Sequence, residues 1–158
     1  MPLSALLAVV LLLSHTPGEA RDIATFETLK TMSGVWRQTG TQRPMTITYR
    51  VISGESAIVE SWVTSSGRET MTVYVMDGGR LIATHYCAQG NQPTLALTAS
   101  GPELVLDFRS ATGLPDPAAS HQHRFTIRPI DADHMERSET YVENGIPETT
   151  TLALTRQR

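Results

Sequence analysis

The chain of 158 residues holds one cysteine, few aromatic side chains (6%) and no cluster of basic residues. With Cys87 alone, an internal disulfide is excluded, and stability must come from packing. A formal net charge of −3 without a basic patch offers no footing for nucleic acid or an anionic membrane surface. Long hydrophobic runs are also scarce. Leu3 to Leu13 is the main one, and it is too short for a membrane-crossing helix, which needs about 20 apolar residues. The sequence has no Gly-rich phosphate cradle, no HExxH pattern and no nucleophile elbow, so the common signatures of nucleotide, zinc-protease and hydrolase chemistry are missing.

What is present begins with an address. In "MPLSALLAVVLLLSHTPGEA" the apolar run ends at Pro17-Gly18 and is followed by small residues of the kind a signal peptidase accepts. The expectation is a signal peptide over residues 1–20, although its first residues carry no Lys or Arg. Residues 21–158 then form one domain, exported to a bacterial periplasm or secreted, with no integral membrane segment after signal removal. A domain of that length buries enough surface to need neither disulfide nor metal.

Helical periodicity is confined to "TFETLKTM" (25–32), where Phe26, Leu29 and Met32 recur about one turn apart and Thr25 with Thr28 can cap the start. From Gly34 onward the chain becomes ten alternating runs, at 35–40, 44–52, 56–64, 69–76, 80–87, 93–99, 103–109, 121–130, 134–142 and 147–156. Tight turn signals such as Ser53-Gly54, Asp77-Gly78-Gly79 and Asn144-Gly145 separate most of them. Only "SATGLPDPAAS" (110–120) is long and Pro-rich, which predicts a surface loop placed to act as a lid. Ten strands joined by hairpins would leave two exposed edges in an open sheet, and closure removes both. The expected fold is all-β: a single up-and-down antiparallel barrel of about ten strands with a short N-terminal helix.

Two distant residues sharpen that expectation. Gly34-x-Trp36 opens the first run and Arg156 closes the last. This pairing resembles the calycin arrangement of lipocalins and fatty-acid-binding proteins, in which a Trp packs across one barrel end beneath a basic residue. The resemblance implies that Trp36 and Arg156 seal an end of this barrel. More narrowly, "HYCAQGNQP", "HQHRF" and "DADH" resemble a group of exported bacterial barrels distantly like the haem-binding nitrobindin type. That likeness implies haem or nitric-oxide chemistry as one reading.

The least ordinary stretch is "THYCAQGNQP" (84–93), which carries the cysteine beside His85. Alternation puts His85 and Cys87 on one face with Leu81 and Ala83. In the Asp77-Gly78-Gly79 hairpin the opposite face, Met71, Val73 and Val75 with Ile82, Thr84 and Tyr86, is the more apolar. Core packing would therefore turn His85 outward, whereas a ligand-lined lumen would turn it inward. Likewise "HQHRFTI" puts His121 and His123 on the face of Phe125 and Ile127, the expected interior. The candidate ligand-binding residues are accordingly His85, Cys87, His121, His123 and Tyr74. Trp62, Tyr49 and Tyr86 supply further aromatic bulk.

Three chemistries fit these residues. The favoured one is binding of a small apolar or amphipathic molecule in the lumen, with no cofactor and no catalytic residue. An enzyme in the same lumen is the second, with its histidines acting as acid–base groups or metal ligands, or with Cys87 as nucleophile oriented through Asp107. Haem, or another transition metal held by imidazole and thiolate, is the third.

Overall fold

The structure, a computed structural model, describes residues 15–158; the expected signal run Leu3–Leu13 lies outside them. A helix, α1 (Pro17–Thr31), precedes ten strands: β1 (Gly34–Gln38), β2 (Thr46–Ile52), β3 (Ala57–Val63), β4 (Glu69–Asp77) and β5 (Arg80–Tyr86), then β6 (Gln92–Ala99), β7 (Leu104–Thr112), β8 (His121–Pro129), β9 (His134–Glu143) and β10 (Ile146–Gln157). Every sequential pair is antiparallel, and β1 bonds to β10, so the sheet closes into the expected ten-stranded barrel. Among the described residues no helix is long and apolar enough to cross a membrane.

The helix is longer than its periodicity suggests. It starts at Pro17, with Thr16 and Glu19 forming a reciprocal capping box. Thr25 and Thr28 are not caps: their hydroxyls bond back to the carbonyls of Arg21 and Ala24 within the helix. The first two turns carry no apolar period because one buried position there, Asp22, is charged. Asp22 accepts hydrogen bonds from Arg21, from Arg80 and from the Leu81 N–H, tying α1 to the start of β5. Further along α1, Phe26 and Leu29 turn into the barrel end and join Trp36, Leu81, Leu97 and Leu154 in the apolar core.

Arg156 completes that closed end. Its guanidinium carbon lies 4.3 Å from the centre of the Trp36 ring. It also donates to the carbonyls of Ser33 and Thr31, so it holds the last turn of α1 as well as the indole. Trp36 in turn donates from Nε1 to the Met32 carbonyl at 2.8 Å. Gly34 is required here: its φ is +128°, and a Cβ would come within 3.1 Å of Arg156 Nη1.

The opposite end is built from the C-terminal ends of β3, β5, β7 and β9 and the starts of β4, β6, β8 and β10. Among the described residues no helix plugs it. The wall is also uneven, because β1 pairs only with Leu154–Gln157 of β10, the Ala153 carbonyl accepts from the Thr39 N–H just past β1, and Ile146–Leu152 bonds to β9 alone.

Removing the anchor of the plug tests this account. Asp22→Ala leaves the buried Leu81 N–H without its acceptor and takes the charged partner from Arg21 and Arg80, which keep the Leu97 and Thr98 carbonyls, and should cost about 2 kcal/mol. Urea unfolding measures it; a change below about 0.5 kcal/mol, the range of an ordinary surface substitution, would show that the anchor is dispensable.

Candidate functional site

Above the apolar floor the barrel interior turns polar. β9 alternates Met135, Arg137, Glu139 and Tyr141 inward, and Arg137 is fully buried. Its guanidinium donates to Glu139 Oε1 at 2.6 Å and to Glu60 Oε1, on β3, at 3.1 Å. The guanidinium carbon also sits 3.7 Å from the centre of the Phe125 ring. Glu60 is further held by the Trp62 indole N–H and the Tyr74 hydroxyl, and Glu139 by the Gln122 amide. Arg137 Nη1 and Gln122 Oε1 remain without partners in this cluster.

Burial governs the protonation of these groups. It opposes the charge on Arg137, but the Glu139 and Glu60 carboxylates outweigh it and hold the guanidinium firmly cationic. Glu139 is pushed up to about 7, first by burial and then by Glu60, with Arg137 opposing. Burial likewise raises Tyr49 and Tyr74 well above the usual phenol range.

One layer nearer the open end, His85 lies inside. It is 4% exposed, with Nδ1 3.0 Å from Thr72 Oγ1 and Nε2 3.2 Å from the Tyr141 hydroxyl. Burial pulls its pKa down to about 4, so the ring is neutral at physiological pH. The apolar set Val73, Val75 and Ile82 forms the outer face instead. Pairing Thr72 with His85 and Tyr74 with Ala83 fixes this, since Tyr74 and Ala83 are both fully buried in the core.

Together these residues border a cavity of about 310 Å³, walled by Met45, Trp62, Leu152, His85, Glu139 and Tyr141, with Arg68 and Glu148 also on its lining. Of the sequence-derived candidates, His85 reaches the lining itself, and Tyr74 lies beneath it, bonded to Glu60. Cys87 sits just past the end of β5, half-buried, with its thiol directed to Gln89 Oε1. Tyr86 faces outward.

His121 and His123 need a correction. A β-bulge between Gln122 and Arg124 breaks the alternation of β8, so Gln122, not His123, shares the interior with Phe125. The two histidines contact each other, Nε2 to Nδ1 at 3.3 Å, and both pack against Phe108. They border a separate pocket with Leu114, Pro117, Val142 and Pro147. The Pro-rich loop is shorter than expected, since β7 runs on to Thr112. It is pinned to neighbouring segments by Asn91, which donates to the Ser120 carbonyl at 2.7 Å, and by the Gly145 N–H on the Ala118 carbonyl.

A metal site built from several side chains fits this arrangement poorly. His85 offers a ring nitrogen only by giving up Thr72 or Tyr141. Among the described residues no group of three or more His, Cys, Asp or Glu side chains is placed to hold a metal ion. Asp107, the suggested orienter for a Cys87 nucleophile, is engaged by Arg124 and Thr98.

The residues that matter most here, Glu60, Arg137, Glu139 and Tyr141, were not singled out from the sequence. A signal existed: "HMERSETYV" puts Arg137 and Glu139 on the face of Met135 and Tyr141, and "AIVESWV" puts Glu60 between Ile58 and Trp62. Charges on an apolar strand face mark a paired cluster in a lumen.

No family model matches this chain, and no curated protein matches it. Among solved structures it is similar to the crystal structure of Rv2717c from M. tuberculosis, with a TM-score of 0.56 and 16% identity, covering 84% of this chain and 97% of that one. It is also aligned with Treponema pallidum Tp0751 (pallilysin), covering 91% of this chain and 100% of that one. There the TM-score is 0.36 and the identity 12%, a likeness too slight to carry an argument. The first match shows a shared barrel fold and nothing about chemistry.

The opposed shifts of Glu139 and His85 give a pH test. Glu139 has a folded value above its unfolded 4.5, so its contribution to stability is full below pH 4.5 and is lost as pH rises towards 7. His85 behaves oppositely: its contribution is present above pH 6.5 and is lost as pH falls towards 4. Comparing wild type with Glu139→Gln isolates the first. Between pH 4.5 and 7.5, wild type should lose roughly 3 kcal/mol relative to the variant in denaturant titrations. A difference that stays constant with pH would show that Glu139 does not titrate there.

Proposed function

We propose that this protein is an exported barrel of calycin type that binds a small, largely apolar molecule in its lumen. The observation that carries the reading is the cavity itself: about 310 Å³, walled by Trp62, Met45 and Leu152, with Glu139, His85 and Tyr141 converging on it. A few fixed polar groups on an apolar wall are how small-ligand sites combine affinity with orientation. The volume lies at the lower end of the range for such sites, which favours a compact guest. The Trp36–Arg156 stack supports the calycin kinship, and the apolar run Leu3–Leu13 supports export.

Two measurements test the proposal. A neutral apolar fluorophore such as N-phenyl-1-naphthylamine should brighten on binding. Leu152→Trp, which fills the cavity from its wall, should weaken binding about tenfold or more, in line with the loss of one well-packed apolar contact. No brightening in the wild type, or equal brightening in a folded Leu152→Trp variant, would reject the lumen as the site. Export is checked separately: N-terminal sequencing of protein from the periplasm or medium should read a start near Arg21, and retention of the full chain in the cytoplasm would reject it.

A further inference from the structure

The charges inside the barrel do not balance. Arg137 stands between two carboxylates, Glu60 and Glu139, and all three are almost wholly buried. Among the described residues, the elements packed around them bring no second cation: Tyr49 comes from β2, Tyr74 from β4, a neutral His85 from β5, Gln122 from β8 and Tyr141 from β9 itself. Towards the mouth the cavity lining adds one more carboxylate, Glu148, and one cation, Arg68. Lining and floor together hold three carboxylates against two guanidinium groups.

We propose that the lumen ligand is an amphipathic amine, its ammonium seated on Glu139 and its apolar body against Trp62, Met45 and Leu152. This rests on the lumen-binding reading above and names the head group that the lumen selects. A surplus carboxylate held away from water is costly until something positive pairs with it. Glu139 borders the cavity, whereas Glu60 is shut beneath it under Trp62, Tyr74 and Arg137, so Glu139 is the oxygen pair a guest can reach. Each Glu139 oxygen accepts one bond, from Arg137 or from Gln122, and keeps a lone pair for a further donor. The Trp62 indole on the same wall adds aromatic surface for the apolar body, with Arg137 5.7 Å from its ring centre. The upward shift of Glu139 to about 7 agrees with this arrangement, because the same surplus that attracts an ammonium also retains a proton. A carboxylate or phosphate head would add to the surplus and be repelled.

A matched series separates the head group from the tail. Octylamine, octanol and octanoate are titrated as competitors of N-phenyl-1-naphthylamine on the full protein at pH 8, where Glu139 is ionised. Octylamine should bind about tenfold or more tighter than octanol, the value of one charge-assisted hydrogen bond, and octanoate most weakly. That advantage should shrink at pH 5.5, where a proton occupies Glu139, and should disappear in Glu139→Gln. Should Glu139→Gln fail to fold, the pH 5.5 measurement on wild type decides alone. If octanol matches octylamine, or octanoate binds tighter, the amine proposal falls while lumen binding stands. If none of the three displaces the fluorophore, lumen binding of aliphatic guests falls, and the amine proposal with it.

Discussion

The barrel is organised around one buried cation. Arg137 cannot be placed in an apolar interior alone; it needs acceptors on more than one side, and β3 and β9 supply them as Glu60 and Glu139. Those carboxylates in turn require donors, which recruits Tyr74 from β4, Trp62 from β3 and Gln122 from β8. Strands that are distant in sequence thereby converge on one charge cluster across the lumen. The cluster also separates two regimes: below it the core is aliphatic and closed by α1, and above it the interior is polar, half-filled and open.

That division explains why a barrel of this size does not pack solid. Leu81, Leu97, Leu104, Leu106, Ile127 and Leu154 fill the closed half, with α1 adding Phe26 and Leu29 from below. In the open half the inward positions are Thr70, Thr72, His85, Tyr141, Glu148 and Thr150, side chains that tolerate water and do not interdigitate into a dry core. The lumen is the consequence of where the chain spends its aliphatic residues. Its chemistry is fixed by the few charged groups left at the boundary.

Much of this was legible in the sequence, for reasons that differ by element. Hairpin turns and period-two alternation located all ten strands, because each turn needs Gly, Asn or Asp at a defined place and each strand has one wet face. Trp36 and Arg156 could be paired at a distance because their side-chain types stack and because β1 and β10 must meet for the barrel to close. The inward facing of His85 was not decidable, since its strand pair is apolar on the outside and mixed within, the reverse of an ordinary core. His121 and His123 were misplaced because a bulge changes the face of a strand without changing its composition. Glu60, Arg137 and Glu139 were overlooked for a third reason: charged residues on strands usually mark the solvent side, and only their mutual pairing makes burial affordable.

The unequal lengths of β1 and β10 have a consequence for the protein's behaviour in a crowded compartment. Where β10 runs past β1, alternate residues of Ile146–Leu152 present backbone donors and acceptors along a free margin, even though the strands form a closed ring. Such a margin can recruit an extended segment from another chain and start aggregation. Here Pro147 removes one donor, Glu148 points a charge into the lumen, and Thr149, Thr150 and Thr151 keep the margin hydrated. "PETTT" therefore reads as a guard against self-association at the mouth, discouraging another polypeptide from completing the wall.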